Sequence, residues 1–89
     1  MNEEKLKKEL ENQGFKKVYI GEDKPNEFYK KHNHPYGTKL IILNGSMRII
    51  LENKILKLKS KDNIYIKAYE THEVLIGKNG CKYLVGEEK

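Results

Sequence analysis

The sequence predicts a mainly β protein, an antiparallel sandwich or barrel with one short helix at its N-terminus. Three observations predict it. Apolar residues after Gly14 recur with the two-residue period of strands. The strand-like runs are short and separated by turn signals at near-regular spacing, and no helical pattern falls between them. Eighty-nine residues make one domain, read as a docking helix over 1–14 and a barrel over 15–89.

Residues 2–13 form the predicted helix. Asn2 can cap it, Glu3 and Glu4 suit the positive N-terminal end, Leu6 and Leu10 share a face, and Gly14 supplies a stop. Two leucines are a thin stripe, and a helix this short is marginal in water, so it must dock through Leu6, Leu10 and Phe15. The first strand is "KKVYIG", followed by the loop "GEDKPN". The second is "EFYKKHNH", whose alternation sets Phe28, Lys30, His32 and His34 on one face. "TKLIILNG" is a third strand, and "SMRIILENKILKLKS" a hairpin turning at Glu52-Asn53-Lys54 with Met47, Ile49 and Leu51 on one side. After a loop at Ser60 to Asp62 come "NIYIKA", "THEVLIG", a turn at "KNG" and "CKYLVG", with "EEK" as a frayed tail. The run "LIIL" is apolar on both faces. One face fills the barrel; the other needs cover from the helix or from a second subunit, which makes a homodimer an expectation.

The net charge of +5 comes almost wholly from lysine, with Arg48 the single arginine. The lysines are scattered among glutamates, the pattern of a solvated surface and not of a nucleic-acid interface. Cys81 is the only cysteine, which excludes an internal disulfide and fits a reducing compartment. The start "MNEEKLKKEL" is too charged for a signal peptide, and no apolar run is long enough to span a membrane. The expected location is cytoplasmic, with neither membrane nor nucleic acid as partner.

Chemistry concentrates in "KKHNHPYGTKLIILNG". On a strand, alternation brings His32 and His34 to the same side, Cβ atoms roughly 7 Å apart, close enough for two imidazoles to converge on one ion. Two ligands bind weakly. The remaining histidine of the chain, His72, opens "THEVLIG", with Val74 and Ile76 continuing its face.

With these residues in view, the stretch from Lys31 to Gly86 resembles the cupin family, whose members are small jelly-roll barrels, or double-stranded β-helices. The family's first motif is His-x-His, a short spacer, Glu, six residues and Gly; "HNHPYGT", "KLIILN" and Gly45 match that spacing. Its second motif is Gly, five residues, Pro-x-Gly, two residues and His, and "KDNIYIKAYETH" has the same lengths. The motif glutamate falls on Thr38. The second motif's Gly, Pro and Gly fall on Lys61, Lys67 and Tyr69. The resemblance implies a jelly-roll barrel and a divalent transition metal, Zn, Ni, Fe, Mn or Cu, held by His32, His34 and His72. Without the motif carboxylate, the balance shifts toward good imidazole binders such as Zn²⁺, Ni²⁺ or Cu²⁺.

Three neutral imidazoles leave an ion its double charge and an open position, the arrangement of a catalytic and not a closed structural site. Around it, Thr38 and Tyr36 are candidates for orienting water or ligand, Tyr69 for packing or orientation, and Lys30 for holding an anion at the mouth. Cys81 reads as a small core residue. Two functions follow: a metal-dependent enzyme acting on a small molecule, of oxygenase, isomerase or hydrolase type, or a non-catalytic module that binds or senses a small ligand, with or without metal.

Overall fold

A computed structural model of the protein describes residues 2–89. Helix α1 runs Glu3–Asn12 and is followed by β1 (Lys17–Asp23), β2 (Phe28–His32), β3 (Thr38–Leu51), β4 (Ile55–Lys59), β5 (Asn63–Ile66) and β6 (His72–Glu87). The helix begins where its cap predicts: the Asn2 side chain accepts a hydrogen bond from the Lys5 amide at 3.1 Å.

Two long strands form the spine. β3 and β6 pair antiparallel along their length, from Thr38 opposite Glu87 at one end to Leu51 opposite His72 at the other. The N-terminal half of β3 also pairs with β5 and the C-terminal half of β6 with β1; the other halves pair with β4 and β2. Each long strand therefore serves two layers, which is the jelly-roll arrangement.

The change of layer happens at glycine. Gly45 and Gly80 hold φ of 82° and 78°, and the β3–β6 register slips between Ile42 and Met47. A Cβ on Gly45 would come 2.1 Å from the Gly80 carbonyl oxygen, so the two backbones touch where both strands bend. The slip also flips which residues face inward. Leu40 and Ile42 face in before it and Met47 and Ile49 after it, while β6 turns Ile76 inward before its bend and Cys81 and Val85 after it. These residues, with Leu58 and Ile66, make the core between the layers. Burying each large aliphatic side chain contributes about 1.5–3 kcal/mol.

A second cluster lies outside the barrel. Leu10, 1% exposed, packs with Phe15 and Leu84 against Leu6, Val18, Ile41 and Leu43. The outer face of "LIIL" is thus covered by the helix, one of the two alternatives its hydrophobicity left open.

Four expectations are corrected. Gly45 and Gly80 mark bends inside continuous strands, not strand ends, because each bend is bridged by β3–β6 pairing. Glu87 is the last residue of β6 and is buried, not part of a frayed tail. β2 stops at His32, leaving His34 in the following loop. A bulge between Tyr29 and His32 reverses the alternation of β2, so Tyr29, and not Phe28 or Lys30, shares the inward side with His32. No helix among the described residues is long and apolar enough to cross a membrane.

Candidate metal centre

Backbone pairing brings the histidines together. His32 ends β2 directly opposite His72, which begins β6. His34 lies beyond the end of β2, and its carbonyl accepts a hydrogen bond from the Tyr69 amide at 2.6 Å, tying this loop to the turn that leads into β6. The ring centroids are 4.3 Å apart for His32 and His72, 5.0 Å for His32 and His34, and 5.4 Å for His34 and His72. One ring nitrogen from each histidine lies within 4.8 Å of the others.

Two rings are also oriented. Nδ1 of His32 lies 2.5 Å from the Lys30 carbonyl, and Nδ1 of His72 lies 2.8 Å from the Glu70 carbonyl. A carbonyl only accepts, so each Nδ1 carries a proton, the tautomer that in a neutral ring leaves the lone pair on Nε2. Anchoring one nitrogen on a carbonyl to free the other is how metal-ligating imidazoles are held. Burial pushes the pKa of His72 below the usual histidine value, outweighing the Glu70 carbonyl that favours its charged form. His34 is also lowered, by burial first and then by the two neighbouring rings, with Glu87 working in the opposite direction. Neutral rings with free lone pairs fit a divalent transition ion.

The histidines form one wall of a cavity of about 330 Å³. Leu40, Met47, Ile66, Val74 and Val85 form an apolar wall, and Tyr19, Tyr29 and Tyr83 add aromatic rings. The tyrosine hydroxyls are engaged: Tyr29 and Tyr83 each donate to Asp23 at 2.6 Å, and Tyr19 donates to Glu87 at 2.8 Å. The Asp23 hydrogen bond, with burial, pushes the Tyr29 pKa up to about 12, and burial with the Glu87 hydrogen bond does the same at Tyr19. Tyr83 is raised by burial and by Asp23. These phenols stay protonated at neutral pH and act as fixed walls and clamps.

The other candidates divide. Thr38 lines the cavity and is buried. The Tyr36 ring stacks on His34, centroids 5.4 Å apart, and so supports a histidine from behind. Lys30 is exposed and does not line the cavity, because of the β2 bulge. Tyr69 is 69% exposed; only its amide reaches the site, through His34. Cys81 is buried in the core, and burial pushes its pKa up to about 11, which leaves it unreactive. A larger surface groove, about 560 Å³, is lined by Arg48, Lys57, Lys59 and Lys78 but by no histidine or acid.

The residue that sequence reasoning missed is Glu87. It lines the histidine cavity although it is only 6% exposed. Strand alternation would have found it, since Tyr83 and Val85 share its face.

Solved structures place this architecture. The chain superposes on a cupin-2 domain protein from Shewanella frigidimarina with a TM-score of 0.67 and 16% identity, covering 76% of this chain and 65% of that one. It superposes on a cupin superfamily protein from Desulfitobacterium hafniense with a TM-score of 0.71 and 18% identity, covering 81% and 66%. This chain has the cupin fold. The chain also superposes on the DMSP lyase DddQ from Ruegeria pomeroyi with a TM-score of 0.74 and 19% identity, covering 81% of this chain and 37% of that one. The chain therefore spans less than two thirds of the length of each of these three neighbours. No family model and no curated protein matches the sequence.

Proposed function

We propose that this cupin-fold chain binds one divalent transition metal ion through His32, His34 and His72 and holds a small molecule in the adjoining cavity. The supporting observation is the convergence of three ring nitrogens within 4.8 Å, with Nδ1 of His32 and of His72 anchored on backbone carbonyls. When bound, such an ion supplies Lewis-acid polarisation of a ligand oxygen.

The chain's own residues do the rest. The carbonyls of Lys30 and Glu70 fix two imidazoles, and Tyr36 backs the third. The apolar wall of Leu40, Ile66, Val74 and Val85 excludes water from one side of a bound molecule, and Thr38 and Glu87 are the polar groups left to orient it. A cavity of about 330 Å³ suits a ligand of metabolite size.

Metal analysis of protein purified without a polyhistidine tag tests this reading. One equivalent of Zn, Ni, Fe, Mn or Cu per chain is expected, and His34→Ala should lose it. Metal-free protein that retains a small ligand would support a non-catalytic binding module instead.

A further inference from the structure

The first cupin-like motif of this chain has threonine where the motif has its acid, yet the cavity is not without a carboxylate. In the β3–β6 ladder the residue directly opposite Thr38 is Glu87. Both line the histidine cavity. Cross-strand neighbours have Cβ atoms about 4.5–5.5 Å apart, so an acid at 87 stands one strand away from where an acid at 38 would stand.

Two further observations concern Glu87 itself. Its Oε2 is held by the Tyr19 hydroxyl at 2.8 Å. Its Oε1 is fully buried and accepts no hydrogen bond, and the Lys89 ammonium, 3.7 Å away, makes an ion pair without one. The Thr38 hydroxyl is likewise buried and unpartnered. Buried polar atoms without hydrogen-bond partners are uncommon, and these two belong to facing residues of one cavity.

We infer that Glu87 is the carboxylate of the metal centre, supplied by β6 in place of the acid missing from position 38 on β3. The inference rests on the three-histidine reading. Tyr19 positions the group by occupying Oε2, leaving Oε1 as the oxygen without a hydrogen bond. A single negative charge beside three neutral imidazoles partly offsets the double charge of the ion, which strengthens its retention. The arrangement has a cost in the metal-free protein, because a buried carboxylate is left with one oxygen that accepts no hydrogen bond and has only the 3.7 Å ion pair with Lys89. Glu87→Gln should therefore fold at least as stably as the original chain while binding metal less well.

The test is a Co²⁺ and Zn²⁺ titration against a competing chelator on four proteins, with metal-free melting curves for each. The original chain should bind one ion. Glu87→Gln should bind roughly 10–100-fold more weakly, the range for removing a group that supports a metal centre. Glu87→Asp, which keeps the charge, should bind more tightly than Glu87→Gln. The exchange variant Thr38→Glu/Glu87→Gln, which moves the acid back to β3, should recover most of the loss. Equal affinity of Glu87→Gln and the original chain would overturn the role of Glu87 while leaving the histidine centre standing. A loss in Glu87→Gln that neither the aspartate nor the exchange variant restores would overturn it as well, because the effect would then be packing. Absence of binding by the original chain would overturn the three-histidine reading, and this inference with it.

Discussion

Lys61 and Tyr69 hold φ of 80° and 62°, in the left-handed region that side chains resist. They stand where the cupin second motif has glycine in the match drawn from the sequence, so two side chains here hold a backbone conformation that glycine adopts freely. Restoring glycine should relieve the clash at each Cβ, a gain only partly offset by the greater freedom of glycine in the unfolded chain. Lys61→Gly and Tyr69→Gly are each expected to raise stability by about 0.5–1 kcal/mol, seen as a melting temperature a few degrees higher. An unchanged or lower melting temperature would mean that these side chains compensate elsewhere. The histidines make a second prediction at this scale. Unfolded, they bind protons near pH 6.5; folded, His34 and His72 do so only at lower pH. As pH falls through that window the unfolded chain holds more protons, so stability present above pH 6.5 is lost toward the folded values. The urea midpoint of metal-free protein should be lower at pH 5.5 than at pH 7.5, and His72→Gln should shrink the difference. A midpoint independent of pH over this range would contradict the account.

The elements show what alternation and glycine do to a sequence read one strand at a time. Gly45 sits where β3 crosses between layers, with a positive φ and the Gly80 carbonyl where its Cβ would be. Gly45→Ala should cost more than about 2 kcal/mol, combining a left-handed penalty with backbone displacement, and a denaturant titration would show it. A cost near zero would mean that the bend does not depend on glycine. Both bend glycines look like turns in the sequence, which is why β3 and β6 each read as two strands. Pairing between distant segments keeps them continuous, and no local signal reports that pairing. The helix was legible because cap, stripe and stop are local, and Leu10→Ala should cost about 2–5 kcal/mol by emptying the contact with Phe15 and Leu84. The parity of β2 was not legible: the bulge after Tyr29 adds a residue that periodicity cannot foresee, and it turned Lys30 out of the cavity.

At the scale of the molecule, the jelly roll matters because it returns the chain to one place. His32 and His34 lie about forty residues from His72, and Thr38 about fifty from Glu87, yet β6 runs antiparallel to both β2 and β3 and closes those distances. The spacing of the histidines was readable in the sequence because motif lengths count residues along strands whose ends meet. The acid was passed over because "EEK" reads as a frayed tail, although the alternation that carries Tyr83 and Val85 into the cavity continues to Glu87. The resulting site holds three grouped imidazoles at one side, two of them anchored on backbone carbonyls, and a buried carboxylate on the strand opposite Thr38, around a largely apolar cavity. The most direct test is an anomalous-difference map from crystals soaked in Co²⁺. One strong peak is predicted, about 2.0–2.3 Å from a ring nitrogen of each of His32, His34 and His72. Rings that remain grouped with no peak between them, or a peak held by surface carboxylates alone, would contradict the account.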